Sequence, residues 1–329
     1  MNKFIVSNKV NPTTKALLKT RAEPVKIQLV FVDNVEEYNY EEEEDIAGVM
    51  IQYPDTTGEI KDYTKLVERV HGGASKKSKV VAVTDLLACT QITPPGEFGC
   101  DIVVGSNQRF GVPMGYGGPN AGFLATRTAF QRKMPGRIIG SSVDRNGKIA
   151  YRMALQTREQ HIKRDRATSN ICTAQALLAN VSAMYGVYHG PEGLKAIGEA
   201  VHKKATAFAE AIAKFESINI ENQLFFDTVT FQGKGVNSDA FVASALNKGY
   251  NIRKLDEKRV SISFDETTQE HDLIELVKSV KRVSCDETSV RLNYDNNLIK
   301  NSTFARKSAF MTHPVFNSYH TEHELLRYM

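Results

Sequence analysis

The side chains in this 329-residue chain that are able to do chemistry fall into a few groups. A loop holding Gly111, Gly115, Gly117, Gly118 and Gly122 with Pro113 and Pro119 lies between two short apolar runs, residues 101–104 and 121–125. Glycine and proline at that density fix a backbone, often with φ > 0, that ordinary residues do not adopt, and such loops suit phosphate groups. Gly115 and Gly117 open a G-x-G-x-x-G pattern, but Asn120 stands at its sixth position and a strand, not a helix, follows. That argues against a dinucleotide-binding unit. Two acids, Asp55 and Asp85, each stand just past an apolar run; taken singly, each is explained by a turn or a helix cap. The charged run 158–164 contains His161, which suits either proton transfer or anion binding, and equally suits the charged start of a helix. His320 and His323 are spaced i, i+3 without the H-E-x-x-H order, so a solvated linker is the better reading than a metal site.

These residues need elements to hold them. Residues 4–6 read as a short strand. Residues 12–21 read as a helix with Asn11 as N-cap and Pro12 in the first turn. Residues 27–32, 47–52 and 79–84 read as strands, the last nearly all apolar and therefore buried on both faces. Residues 53–58 form an exit turn, 62–70 a helix, and the acidic run 41–45 a solvated helix start. Strand, turn, helix and strand in this order spell a mostly parallel sheet covered by helices, whose ligands sit beyond the carboxyl ends of its strands. From about residue 167 the pattern changes. Residues 174–187 and 193–215 read as long helices, 224–231 and 260–264 as strands, and 239–248 and 271–283 as helices. The expected domains are 1–166 as a large domain, 167–292 as a smaller α+β domain, and 293–329 as a polar, irregular tail ending in a helix over 320–329.

Composition bounds the class. The chain is 41% apolar and 24% charged, with 42 basic and 38 acidic residues, as a soluble globular protein is. A net charge of +4 with no dense basic stripe gives no argument for nucleic acid. No apolar run reaches the roughly 18 residues that a membrane span needs. Cys89, Cys100, Cys172 and Cys285 are scattered, which points to a reducing compartment rather than to disulfides or zinc. Residues 1–22 carry five Lys/Arg and no acid but lack the Ser and Arg enrichment of a transit peptide, so no targeting peptide is expected here.

A strand ending in Asp85, followed some twenty residues later by a strand leading into a Gly-rich loop, is the order found in aspartate-aminotransferase-like enzymes of pyridoxal phosphate (PLP). The chain resembles one family of that fold in particular, the glycine cleavage system P-protein. The segments VVAVTDLLACT, DIVVGSNQRFGVPMGYGGP, PGRIIG, RMALQTREQHI and ATSNICTAQALLANVSAMYGVYHGP carry the resemblance, almost unbroken over residues 79–191, with weaker similarity toward both ends.

The resemblance implies an α/β PLP-dependent transferase of fold type I, with a truncated large domain and a smaller α+β domain. It implies part of glycine dehydrogenase (decarboxylating), in which glycine loses CO₂ on PLP and its aminomethyl group passes to the lipoyl arm of the H-protein. P-proteins have two related halves, and the second carries the PLP lysine in a segment like H-K-T-F. The matching position here is Gln108, whose amide forms no imine, so the chain resembles the half without the lysine. The family's His after Gly-Gly-Pro is Asn120. The implied site is then vestigial, with Asp85 and Gln108 as its cofactor-binding residues, Asp55 nearby, no catalytic residue in this chain and no metal. PLP would be bound mainly by the lysine-bearing second half.

That half, the lipoyl H-protein and glycine are the implied partners, in a homodimer or heterotetramer-type assembly without nucleic acid or membrane. The implied location is the mitochondrial matrix in a eukaryote and the cytoplasm otherwise. The alternative is a catalytically empty scaffold or regulatory pseudo-subunit. The chain starts past the family's first helices and phosphate-cup segment and stops about where the second half would begin, so a fragment, a split product or an incomplete gene model is expected. Missing leading elements would leave an apolar sheet face or an open edge, and the chain is expected to work only within a larger assembly.

Overall fold

The computed structural model describes residues 2–75, 77–118, 120–134, 138–155, 159–167 and 175–329. The first strand, β1 (Lys3–Ser7), leads into α1 (Pro12–Ala22), then β2 (Gln28–Val32) and β3 (Ile46–Tyr53). Next come α2 (Thr64–Gly72), β4 (Lys79–Thr84), β5 (Ile102–Ser106) and β6 (Gly122–Thr126). These six strands form one sheet in the order β2-β1-β3-β4-β5-β6, parallel throughout except for the antiparallel β5–β6 pair.

Neighbouring side chains on a strand point to opposite faces, so each central strand is divided between two cores. Ile5, Val49, Ile51, Val80 and Ala82 enter one core with Leu66, Val67 and Val70 of α2. Val6, Met50 and Val81 enter the other, which α1 covers through Leu18. Leu29, Phe31, Val83, Ile102 and Val104 on this second face are only half-buried.

Local chemistry sets most of the ends. Asp62 Oδ1 accepts from the amide (2.9 Å) and hydroxyl (2.6 Å) of Thr64 and starts α2. Asn11 does precede α1, but its side chain makes no cap bond; its Oδ1 accepts instead from Thr56 Oγ1 at 2.7 Å. The acidic run is the clearer correction. It forms turns, not a helix start, because its carboxylates have partners distant in sequence: Glu43 with Lys3 and Tyr38, and Glu41 with Arg69.

A hairpin that periodicity did not reveal, β7 (Ile138–Val143) and β8 (Ile149–Leu155), forms a separate two-stranded sheet. A short α3 (Gln160–Lys163) follows, then α4 (Ala176–Ile212). The two long helices expected from the sequence are the arms of α4, which breaks at Gly190 (φ 62°) just before Pro191. A Cβ on Gly190 would lie 2.7 Å from the Phe316 carbonyl, so the break also seats the tail.

The rest of the second unit is β9 (Ile218–Ile220), β10 (Thr228–Gly233), α5 (Ser238–Leu246), β11 (Arg253–Lys254), β12 (Arg259–Ser263) and α6 (Glu270–Ser284). Its sheet is antiparallel in the order β11-β12-β10-β9. Val229, Phe231, Val260 and Ile262 pack with Phe208 of α4, Phe241 of α5 and Leu273 of α6. β9 and β11 are two or three residues long, too short for a period to show in sequence.

The tail runs back along the first unit. Ile92 and Ala305 form an antiparallel bridge, Arg306 Nη1 donates to the Cys89 carbonyl at 2.6 Å, and Ile299 is buried in the first core. The chain ends in α7 (Glu322–Tyr328), opened by a Thr321/Glu324 capping box. Among the described residues no helix is long and apolar enough to cross a membrane.

Candidate functional site

The parallel strands β3, β4 and β5 end together, and a cleft of about 340 Å³ opens beyond them. Its lining includes Asn11, Gln52, Asp85, Ser106, Gln108 and Arg109. Asp85 and Gln108 both line this cleft.

Asp85 is the first residue past β4. Its Oδ1 accepts from the Leu87 amide at 3.0 Å, the turn that its position alone suggests. Its Oδ2 accepts from Arg109 Nη1 at 2.5 Å. The same nitrogen donates to Asp227 Oδ2 at 2.6 Å, and Asp227 immediately precedes β10 of the other sheet. Burial pushes the Asp85 carboxyl up; the Arg109 charge opposes this and the Asp227 charge adds to it. Burial works against the charge of Arg109, and the two carboxylates more than offset it, so the guanidinium pKa is raised. The guanidinium lies 5.5 Å from the Phe226 ring, while its Nη2 is buried without a partner.

The sequence reading missed Arg109 and Asp227. Asp227 lies 118 residues beyond Arg109, and no spacing rule reaches that far. The only signal was positional: Arg109 follows the Gln108 position in the loop after β5.

Asp55, next in the chain to the lining residue Pro54, is not itself part of the cleft lining. Its Oδ1 accepts from the Thr57 amide (2.7 Å) and hydroxyl (2.6 Å), and its Oδ2 pairs with Lys9 at 3.1 Å. It organises its own turn. Cys89, buried beside Thr84, is pushed up to about 11, chiefly by burial, so it is a neutral thiol at pH 7.

The glycine-rich loop leaves β5 and returns as β6, with Gly117 at φ 102° and Gly118 at φ 143°. Met114 and Tyr116 are exposed at its tip. His161 is exposed on the one-turn α3. His320 Nδ1 donates to the Tyr188 carbonyl at 2.8 Å, a role in seating the tail. Pro119, Arg158, Cys172 and most of the stretch ATSNICT fall outside the described residues.

At the opposite ends of the strands the buried Asp101 gathers nitrogen donors around it. Asp101 Oδ2 lies 2.7 Å from His71 Nε2 and accepts from the Val80 amide at 2.9 Å; Asp101 Oδ1 lies 3.5 Å from Arg127 Nε. This cluster ties α2 to β4 and to the residue after β6.

Residues 1–280 match the family model of the glycine cleavage system P-protein. The chain belongs to that family. The mitochondrial glycine dehydrogenase (decarboxylating) of Solanum tuberosum is 50% identical over 99% of the chain, which covers 31% of that protein. The glycine dehydrogenase (decarboxylating) of Aliivibrio fischeri (strain MJ11) is 49% identical over the whole chain, which covers 34% of it. The chain thus spans about a third of the length of these curated relatives. The inhibitor-bound crystal structure of a glycine decarboxylase (P-protein) superposes with a TM-score of 0.76 at 31% identity, over 86% of this chain and 65% of that one. A Thermus thermophilus aspartate aminotransferase shares the fold alone, with a TM-score of 0.57 at 14% identity over 86% of this chain and 78% of that one. The architecture is the α/β fold of the PLP-dependent transferases of fold type I.

The cleft as built does not fit pyridoxal phosphate. Among the described residues that line it there is no lysine. Gln108 presents an amide, and the Asp85 Oδ2 that would serve a pyridinium is bonded to Arg109.

Proposed function

We propose that this chain is part of the half of glycine dehydrogenase (decarboxylating) that lacks the lysine, and that it works in the glycine cleavage system beside a lysine-bearing half. The membership of the family supports the system, and Gln108 beside Arg109 in the cleft carries the assignment to this half. In this reading PLP supplies the electron sink for decarboxylation and is held mainly by the lysine-bearing half. Asp85 and Gln108 are then the vestige of a cofactor site, and this chain has no catalytic residue of its own. The substrate is glycine and the acceptor is the lipoyl arm of H-protein. Residues 1–166 act as the large domain, 167–292 as the small domain, and 293–329 as a segment leading toward the other half. The Solanum tuberosum relative is named mitochondrial, which supports the mitochondrial matrix in a eukaryote; the cytoplasm is the alternative elsewhere.

A second reading, a catalytically empty scaffold or regulatory pseudo-subunit, is favoured by the bonding of Arg109 to both carboxylates. Two measurements test the shared premise and then separate the readings. The purified chain is incubated with PLP, reduced with borohydride and mapped by mass spectrometry; no stoichiometric adduct near the Gly loop is expected, and one there would overturn the assignment. The lysine-bearing half is then assayed for glycine decarboxylation with H-protein, with and without this chain. Dependence on the chain supports the first reading, and full activity without it supports the second.

A further inference from the structure

A half-solvated antiparallel strand pair ordinarily turns its large apolar side chains toward the core. The β7–β8 hairpin does the reverse. Its turn is set locally: Asp144 Oδ1 accepts from the amides of Asn146 (2.8 Å) and Lys148 (2.9 Å), and Gly147 takes a φ of 77°. The register pairs Ile139 with Met153, Ser141 with Tyr151 and Val143 with Ile149. Alternate residues of a strand share a face, so these six lie together on one side. Ile139, Val143, Ile149 and Tyr151 are exposed there, Ile149 to 71% and Tyr151 to 77%. The other side carries small residues, Gly140, Ser142, Ala150 and Ala154, with Arg152. Apolar side chains held together in water on a formed surface mark a place that another chain covers.

Two observations choose the occupant. The first is size. Strands of six and seven residues cover a rectangle of roughly 20 by 10 Å. Against its own copy such a face buries well under the roughly 1,200 Å² at the lower end for a stable complex. The second is charge. Arg145, Lys148 and Arg152 stand against one acid, Asp144, and the three bases make no ion pair among the described residues. A two-fold contact would set one net-positive hairpin against another. A second copy of this chain therefore fits poorly. The curated relatives, by contrast, are about three times as long as this chain, so most of their length lies outside it and offers a larger and different surface.

We propose that the outer face of the hairpin is a docking site for the lysine-bearing half of glycine dehydrogenase (decarboxylating), and that it meets there an apolar patch bordered by acidic side chains. This rests on the function proposed above. Ile149 and Tyr151 are the anchors of the contact, and Arg145 and Lys148 at the turn steer the approach. The hairpin forms its turn before it meets the partner, so little ordering opposes docking.

The test is binding of the purified full chain to the separately purified lysine-bearing half of the Aliivibrio fischeri relative, with sedimentation of this chain alone. A chain carrying both Ile149→Asp and Tyr151→Asp should keep the wild-type urea midpoint and bind about thirtyfold more weakly or worse, as loss of a central anchor does. Lys148→Glu should slow association severalfold, and more at low salt. Leu246→Asp, at an exposed apolar position on α5, should bind as the wild type does. If the wild-type chain binds the half and the double variant binds it equally well, the docking site is overturned and the proposed function stands. If the wild-type chain does not bind the half, the proposed function falls and the docking site with it. A wild-type dimer that the double variant abolishes gives the face to a second copy and overturns the proposal. A double variant that unfolds or is strongly destabilised overturns it too, because the face would then be covered within the chain.

Discussion

The unit over residues 176–284 and the stretch over 107–167 are built on opposite terms. The first closes on itself. Phe208, Phe231, Phe241 and Phe264 meet in tilted and edge-to-face ring pairs, with Phe208 and Phe231 fully buried. The second holds much of the sequence by which the family is recognised, yet several of its described large apolar side chains face outward. Tyr116 is fully exposed, and in the β7–β8 hairpin Ile139, Val143, Ile149 and Tyr151 are all exposed. The register pairs Val143 with Ile149 and Ile139 with Met153, so these side chains share one face. Two strands alone are marginally stable in water. A long sequence signature therefore does not mark the part of the chain that packs best. The aromatic core is generic in its residue types but is one of the two large buried clusters, and much of the signature stretch presents its surface to whatever lies outside it.

That contrast is open to attack by substitution. Phe208→Ala, in the closed unit, should cost about 3–5 kcal/mol, read as a fall in the urea midpoint at constant slope. A loss below about 1 kcal/mol would mean that the core tolerates cavities and that the contrast is overstated. Gly58→Ala, at the joint between the units, should cost about 2–4 kcal/mol because it combines a φ of 91° with a clash against the Thr228 carbonyl. If thermal unfolding of that variant is unchanged, the two sheets do not depend on the turn.

His202 gives the pH arm. It is fully buried, its Nδ1 donates to the Phe226 carbonyl at 2.8 Å, and its Nε2 accepts from the Ile299 amide at 3.3 Å. Burial holds its pKa below the ordinary value, with the Phe226 carbonyl opposing. The unfolded chain then binds the proton more readily than the folded one, so the His202 contribution is present above about pH 6.5 and is lost as pH falls from there. The slope should approach roughly 1.4 kcal/mol per pH unit and should flatten in His202→Gln. Equal slopes in the two proteins would show that other groups govern the acid limb. The smallest effect belongs to the open stretch: Ile149→Ser and Tyr151→Ser should each shift the stability of the chain by about 0.5 kcal/mol or less, as surface positions do. A loss of several times that would show that the hairpin face is covered within the chain itself.

The alternation of strands and helices up to β6 was legible because each element carries its own period. β4 was recognisable as buried on both faces from KVVAVT alone. The break in α4 was legible as the gap between two periodic stretches, 174–187 and 193–215, and the structure puts it at Gly190. The β7–β8 hairpin was not, because a strand pair with apolar side chains on its exposed face lacks the inward-apolar, outward-polar pattern that the reading relies on. The turn at 41–45 was misread as a helix start because its carboxylates are held by Lys3, Tyr38 and Arg69, and local charge count carries no information about them.

Sequence alone determined which residues stand at the ends of the strands. Asp85 ends an apolar run, Gln108 lies in the loop just past the next strand, and both facts are local. The tertiary structure decided what those residues face. Arg109 bonds to Asp85 across 24 positions and to Asp227 across 118, and Asp55 turns inward to its own loop. The reason is physical: hydrogen-bond and turn preferences act over a few residues and are written in order along the chain, whereas a charge in a cleft is satisfied by whichever opposite charge the packing of two sheets brings within about 3 Å.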